Sequence, residues 1–166
     1  MQQAETLSPV LTDEIEHATR MLLTKACERD LRLATAESCT GGMLASLLTD
    51  VQGCAHAFER GFVTYSEEAK TDLLGVPPAL IQECGVVSKA VAVAMAEGAL
   101  ERSRAHIALG ITGFADKGDE PGLVHFACAR AGRAVQHREE HFGAIGRGAT
   151  RVECMRVAVE MMTEML

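Results

Sequence analysis

The order of apolar and polar residues along the chain predicts helices that alternate with strands. Apolar positions recur at helical spacing over residues 15–26, 43–48, 91–99 and 152–166, and Pro77-Pro78 opens a shorter helical segment that ends near Gly85. Short apolar or alternating runs predict strands over 31–36, 61–65, 106–111, 123–130 and 134–142. Strands interleaved with helices in this way predict an α/β fold, a single-domain three-layer α/β/α sandwich with a mixed, largely parallel sheet.

The length of the chain sets the domain organisation. Residues 1–11 form a polar lead-in that contains a proline, and residues 12–166 form the single predicted domain, whose first helix is capped by Thr12 or Asp13. A chain of 166 residues is about one domain long. A domain of this size buries about 68–70% of its unfolded surface, so its core needs no disulfide or metal.

Composition excludes several classes of protein. The net charge is −7, and the aromatic residues are five Phe, one Tyr and no Trp. Nucleic-acid binders need basic surfaces and aromatic rings that stack on bases, so we expect no nucleic-acid partner. The chain shows neither an apolar run long enough for a membrane span nor a secretion signal, so we expect no membrane association. The six cysteines lack metal or dithiol spacing, and we interpret them as reduced residues of a cytoplasmic protein.

The first candidate site is the turn between the first predicted strand and the helix that follows it. Ser38 and Thr40 lie in this turn, directly before Gly41 and Gly42. Small hydroxyls and free N–H groups at a helix start favour an anion, a phosphate or a developing oxyanion. The alternative is that Ser38 or Thr40 only caps the helix.

A serine nucleophile needs a base, and the second predicted strand supplies candidates. Tyr65 ends this strand and Lys70 follows five residues later, where α/β sheets commonly bind ligands. Lys70 can accept a proton only if desolvation or a neighbouring cation lowers its pKa from about 10.4. The alternative is an exposed lysine at the start of a helix.

Two further candidates for chemistry are a cysteine in the same turn and a pair of arginines at the start of the last helix. Cys39, next to Ser38, is a candidate thiol nucleophile, with a buried packing role as the alternative. Arg147 and Arg151 lie four residues apart at the start of the last helix. Such a pair either binds a phosphate or carboxylate or forms a solvated helix face.

A histidine-rich segment matches a zinc-protease string in inverted order. The segment is His137-Arg-Glu-Glu-His141, and the string binds zinc only on a helix, where residues four apart share a face. Here the residues alternate as in an edge strand, and strand residues four apart lie about 13 Å apart. We therefore expect a solvated, charged strand and no metal site.

Five blocks of sequence occur in the order and at the spacing of one known family. They are Thr35-Ala-Glu-Ser-Cys-Thr-Gly-Gly42, Phe58-Glu-Arg-Gly-Phe-Val-Thr-Tyr-Ser66 continuing Glu-Glu-Ala-Lys70, Leu74-Gly-Val76, Gly85-Val-Val-Ser88 and Ile111-Thr-Gly113. These blocks resemble the C-terminal domain of the competence/damage-inducible CinA proteins, the nicotinamide-nucleotide amidase family. The resemblance runs from residue 12 to the C-terminus and is densest over 34–113.

The resemblance implies an activity and a set of site residues. The activity is deamidation of nicotinamide mononucleotide to nicotinate mononucleotide and ammonia, a step of pyridine-nucleotide salvage, without metal or cofactor. By matching position, Ser38 is the nucleophile, Lys70 is the base, and Tyr65 assists proton transfer or positions the pair. The substrate site implied by the family consists of Thr40, Gly41, Gly42, Thr112, Gly113, Arg147 and Arg151, of which the arginines are candidates for the phosphate. A homodimer or higher homo-oligomer is expected from the family together with the apolar last helix.

The sequence departs from the usual family pattern at three places. The loop over 114–122 is shorter and acidic, with Glu120 where the family has lysine. Glu67 replaces an asparagine, and the aspartate that precedes Arg147 in the family is absent. The alternative hypothesis is therefore a catalytically degenerate module of the same fold that binds a nucleotide or another protein.

Overall fold

The computed structural model describes residues 11–166, so residues 1–10 of the predicted lead-in lie outside the described residues. The α-helices are α1 Asp13–Glu28, α2 Met43–Leu48, α3 Glu67–Leu74, α4 Pro78–Cys84, α5 Lys89–Glu101 and α6 Arg147–Glu164. The β-strands are β1 Leu33–Glu37, β2 Phe58–Val63, β3 Ile107–Gly113, β4 Leu123–Arg130 and β5 Gln136–His141. None of the described helices combines the length and the apolar character needed to cross a membrane.

The strands form one sheet in the order β2–β1–β3–β4–β5. β1 pairs parallel with β2 and β3, whereas β4 pairs antiparallel with β3 and β5. Four of the described strands therefore run in one direction and β4 runs in the other. The prediction of a mixed, largely parallel sheet is confirmed.

Helices cover both faces of the sheet, which confirms the three-layer sandwich. On one face, α1, α2 and α6 pack on large side chains such as Leu33 and Phe126. On the other face, α3, α4 and α5 pack on the small side chains of Ala34, Ala36 and Ala108. Successive residues of β1 alternate between the two cores, because strand side chains point to opposite faces of a sheet.

Two glycines allow α5 to lie very close to its neighbours. A Cβ on Gly110 of β3 would lie 2.6 Å from the carbonyl oxygen of Ala92 on α5. A Cβ on Gly98 of α5 would overlap the carbonyl oxygen of Leu74, the last residue of α3. The position of α3, which carries Lys70, is therefore set by the surface of α5.

The predicted strands and helices are present, with shifted ends. β2 begins at Phe58 instead of Gly61, because Phe58 already pairs with Leu33 of β1. α6 begins at Arg147, five residues before the first apolar position of the predicted helix at 152. Of the two predicted caps of α1, Thr12 is the one used, since its side chain accepts a hydrogen bond from the first turn.

Candidate active site

Ser38 follows the last residue of β1 and begins the turn that leads into α2. Its N–H donates to the Ile111 carbonyl oxygen at 3.1 Å, which extends the pairing of β1 with β3 by one residue. Ala34 and Ala36 of β1 face α3 and α5, and the alternation of strand side chains directs Ser38 to the same side. The hydroxyl therefore faces α3.

α3 brings Lys70 to this hydroxyl. The helix begins after Ser66, whose Oγ accepts a hydrogen bond from the Ala69 N–H at 3.1 Å. Lys70 Nζ lies 3.0 Å from Ser38 Oγ and donates to the Thr64 carbonyl oxygen at 2.7 Å. Lys70 is fully buried, so the alternative of an exposed lysine is wrong.

Burial lowers the pKa of the Lys70 ammonium, because the charged form loses its hydration. Electrostatic interactions with Cys39 and Glu67 raise the pKa of Lys70 and offset part of this effect. A lower pKa increases the neutral fraction of Lys70, whose lone pair can then accept a proton. The Thr64 carbonyl oxygen holds one N–H of the amine and so helps to orient the lone pair towards Ser38 Oγ.

The two side chains open onto a cavity of about 240 Å³ at the carboxyl ends of β1 and β3. Its walls include Ser38, Tyr65, Lys70, Thr112, Gly113 and Arg147, six of the residues predicted for the site. Tyr65 lies at the rim with 66% of its surface exposed. The Thr112 hydroxyl donates to the Val86 carbonyl oxygen at 2.8 Å, which holds the loop before α5 against the end of β3.

Charged residues lie on the open side of the cavity. Lys117 and Arg147 contribute positive charge and Asp116 contributes negative charge. Arg147 Nη2 lies 3.8 Å from Asp116 Oδ2, and both side chains are partly exposed. Exposed ion pairs are weak because water screens them, so an incoming anion can replace Asp116 at Arg147.

The other predicted substrate-binding residues, Thr40, Gly41, Gly42 and Arg151, do not line this cavity. Thr40 is buried, and its hydroxyl donates to Glu37 Oε2 at 2.7 Å. Arg151 Nε donates to the Cys39 carbonyl oxygen at 2.7 Å, and its guanidinium covers Gly41. These residues shape the turn that carries Ser38, and their contact with a substrate stays a prediction.

The carboxylate of Glu37 is a feature of the site that the sequence analysis missed. It is fully buried and accepts hydrogen bonds from the N–H groups of Gly42, Leu44 and Ala45 at 3.2, 3.0 and 2.8 Å. The N–H groups that we expected to be free at the start of α2 are thus occupied by the protein's own carboxylate. A single acidic residue at the end of an uncharged strand, just before a helix, is the sequence signal for such a contact.

Cys39 has the surroundings of a packing residue, although it borders the cavity. It is buried, and the equally buried Cys154 of α6 is its neighbour. Burial raises the pKa of the Cys154 thiol well above its ordinary value, so that neighbour stays protonated and supplies no base.

The histidine-rich segment forms β5, as predicted. His137 stacks on His125 of β4, with 3.1 Å between their ring nitrogens. His141 contacts the carboxylates of Glu120 and Glu139. Over residues 11–166, no three His, Cys, Asp or Glu side chains are grouped so as to hold a metal ion.

Comparisons with known proteins point to one family. The model of the CinA C-terminal domain matches residues 15–166. The nicotinamide-nucleotide amidohydrolase PncC of Escherichia coli is 46% identical over 131 residues, which make up 74% of this chain and 79% of that protein. The crystal structure of the competence/damage inducible protein CihA from Agrobacterium tumefaciens has a TM-score of 0.90 at 40% identity, and the match covers 95% of this chain and 98% of that chain.

Longer proteins also contain a similar region. A CinA-like protein of Akkermansia muciniphila is 53% identical over 91 residues, which make up 55% of this chain and 22% of that protein. The matches span between 22% and 28% of the length of the first relatives of this type. The similarity to these longer proteins therefore covers about a quarter of each.

Proposed function

The chain belongs to the CinA C-terminal domain family, and we propose that it is a metal-independent amidohydrolase that converts nicotinamide mononucleotide to nicotinate mononucleotide and ammonia. The observation that carries the proposal is the 3.0 Å separation between Lys70 Nζ and Ser38 Oγ at the wall of a cavity. The similarity to PncC, which is named a nicotinamide-nucleotide amidohydrolase, supports the substrate class.

In the proposed mechanism, neutral Lys70 accepts the proton of the Ser38 hydroxyl while Oγ attacks the carboxamide carbon. The carbonyl electron pair moves to the oxygen and gives a tetrahedral intermediate. When this intermediate collapses, the C–N bond breaks and the Lys70 ammonium gives its proton to the nitrogen, which leaves as ammonia. The nicotinoyl group is then joined to Ser38 as an ester.

The same two residues then hydrolyse the ester, with Lys70 as the base and Ser38 Oγ as the leaving group. Lys70, neutral again, accepts a proton from a water molecule whose oxygen attacks the ester carbon. Collapse of the second tetrahedral intermediate breaks the bond to Ser38 Oγ, which takes the proton back from Lys70. Nicotinate mononucleotide leaves, and the enzyme returns to its starting state.

The size and charge of the cavity support a binding mode. Its volume of about 240 Å³ is below the roughly 300–1,000 Å³ of pockets that enclose a whole drug-sized ligand. We infer that the cavity holds the pyridine carboxamide, with Tyr65 at the ring and Thr112 beside the amide. The ribose and phosphate then extend towards Arg147 and Lys117.

Ammonia release from nicotinamide mononucleotide by the purified protein tests the proposal. We expect release that EDTA does not reduce, and a fall of about 10³-fold or more in Ser38→Ala, since the nucleophile is lost. Ser46→Ala is the matched control, because Ser46 is exposed on α2, and it should keep the full rate. Undiminished release by Ser38→Ala, or no release from any pyridine nucleotide, would overturn the proposal.

The contact between Asp116 and Arg147 favours a second candidate function, a nucleotide-binding module without turnover. A carboxylate beside the arginine competes with the phosphate for this cation, so a bound nucleotide is held less precisely against Ser38 and is not turned over. Calorimetric titration with nicotinamide mononucleotide separates the two functions. A stable binding isotherm without ammonia supports the module, whereas slow consumption of the ligand in the cell supports the enzyme.

A further inference from the structure

Glu37 is the last residue of β1 and precedes the proposed nucleophile in the chain. Its backbone is fixed from both sides, since it pairs with Val63 of β2 and Ile111 of β3. Its carbonyl oxygen also accepts a hydrogen bond from the Thr64 N–H at 2.8 Å. Adjacent strand residues point to opposite faces, so Glu37 reaches α2 while Ser38 faces α3.

α2 lacks a cap of its own. It has six residues and begins after Gly42, which has φ +95° and no side chain to accept hydrogen bonds. Glu37 supplies the cap instead, because Oε2 accepts from Thr40 Oγ1, Gly42 N and Leu44 N and Oε1 accepts from Ala45 N. Unsatisfied N–H groups at a buried helix start are costly, and hydrogen bonds to a charged acceptor are stronger than neutral ones.

We propose that Glu37 is a positioning residue, whose carboxylate ties the turn over 38–42 to α2 and thereby sets the place of Ser38 Oγ relative to Lys70. This inference rests on the proposed function for its kinetic consequence. The carboxylate also fills the start of α2, which leaves no anion site there. The anionic end of a substrate is consequently left to the cations Arg147 and Lys117 on the open side of the cavity.

Loss of the hydrogen bonds that the Glu37 carboxylate accepts moves Ser38 Oγ but leaves the residues that line the cavity unchanged. Glu37 lies on the opposite side of β1 from the cavity and does not line it. A misplacement of about 1 Å at a reacting atom costs on the order of 10²-fold in rate. Glu37 therefore acts on the rate constant of the chemical step rather than on substrate affinity.

Glu37→Gln tests the inference with almost no change in volume. The amide keeps one oxygen but turns an NH₂ group towards N–H donors, so at least one of the four hydrogen bonds is lost. We expect kcat to fall about 10- to 100-fold, with KM within about twofold of wild type. Glu68→Gln, an exposed carboxylate on α3, is the control and should match wild type. Equal kcat values for Glu37→Gln and wild type would overturn the inference.

Amide hydrogen exchange gives a readout that does not depend on turnover. In Glu37→Gln we expect the N–H groups of Leu44 and Ala45 to exchange at least about tenfold faster, since their acceptor is altered. Unchanged exchange at both positions would show that the Glu37 carboxylate does not hold the start of α2. This result contradicts the inference even if the wild type releases no ammonia. Faster exchange with unchanged kcat reduces Glu37 to a structural role and also overturns the inference.

A second variant covers the case in which Glu37→Gln does not fold. Thr40→Val removes only the hydroxyl that donates to Glu37 Oε2 and keeps the shape of the side chain. We expect a smaller fall in kcat in the same direction, with KM again unchanged. A rise in KM with unchanged kcat in this variant would instead place Thr40 in substrate binding and contradict the positioning role.

Discussion

At the scale of residues, the site depends on a lysine that is buried without an acidic partner. Among the described residues, no salt bridge joins Lys70 to a carboxylate, and its polar contacts are Ser38 Oγ and the Thr64 carbonyl oxygen. A carboxylate at contact distance would raise the pKa of the lysine and keep it charged. Burial against a serine and a carbonyl oxygen lowers the pKa instead, which suits a general base.

The direction of this shift predicts the pH dependence of the reaction. Below the pKa of Lys70 the ammonium has no lone pair, and above it the neutral amine can accept the Ser38 proton. We therefore expect kcat/KM of the free enzyme to rise with pH through a pKa that lies below the ordinary lysine value of about 10.4. Ammonia release measured from about pH 6 to pH 10 checks this, and a rate that falls through this range contradicts Lys70 as the base.

The variant Lys70→Arg tests whether Lys70 is the group that titrates in this pH profile. The guanidinium stays charged at every accessible pH, so we expect loss of activity without recovery at high pH. A variant profile that still rises as in wild type would assign the titration to another group.

We expect the guanidinium of Arg147 to recognise the phosphate of the substrate by its charge. Arg147→Ala should raise KM for nicotinamide mononucleotide about tenfold or more, since a hydrogen bond to a charged group is worth about 1.5–3 kcal/mol. KM for nicotinamide riboside, which lacks the phosphate, should stay the same. Arg156→Ala, on the exposed surface of the same helix, is the control. An equal rise in KM for both substrates would contradict the phosphate role.

At the scale of elements, α5 determines the place of Lys70 without contributing a side chain to the pair. Gly98 of α5 contacts the backbone of Leu74 at the end of α3, one turn after Lys70. The absence of a Cβ at Gly98 therefore sets the distance between the two helices. A larger residue must push α3 outwards and draw Lys70 away from Ser38.

Gly98→Ala tests this helix contact. Alanine normally stabilises a helix by about 1 kcal/mol relative to glycine. Here we expect the opposite, a loss of about 1–3 kcal/mol in the free energy of unfolding from overpacking, together with a lower kcat. Urea unfolding and ammonia release measure the two effects. A stabilised protein with full activity would show that α3 and α5 tolerate a wider separation.

At the scale of the whole molecule, the net charge and the charge of the site have opposite signs. The chain carries a net charge of −7, which predicts no polyanion as partner, whereas a small phosphate needs only local positive charge. Lys117 and Arg147 lie at one cavity with only Asp116 as a carboxylate among its walls. The fold thus collects local positive charge from distant parts of an acidic chain.

Ligand binding to this cavity should stabilise the folded molecule. A ligand that binds the folded state only, at a concentration about 100-fold above its Kd, adds about 2.7 kcal/mol of stability. For a domain of this size we expect nicotinate mononucleotide to raise Tm by about 5–10 °C. Thermal unfolding with and without the product measures the shift, and Arg147→Ala should reduce it. No shift at millimolar product would contradict binding in this cavity.

The fold class and the helices and strands could be predicted from the amino-acid sequence, because the period of apolar residues depends only on local geometry and burial. The resemblance to the family predicted that Ser38, Tyr65 and Lys70 act together, and Tyr65 and Lys70 lie at or just past a strand end, where α/β sheets commonly bind ligands. The structure confirms the fold and brings these three residues to one cavity. Their catalytic roles stay predictions.

Which of the nearby polar residues reach the cavity could not be predicted and depends on the packing of the layers. The resemblance placed Thr40 and Arg151 at the substrate site, but neither lines the cavity, because Thr40 donates to the buried Glu37 carboxylate and Arg151 donates to the backbone of the turn. The loop residues at 86–87 and 114–117 that complete the walls carry no periodic signal. Hydrogen bonds and contacts between residues distant in the chain depend on how the layers pack. The spacing of residues along the sequence does not show them.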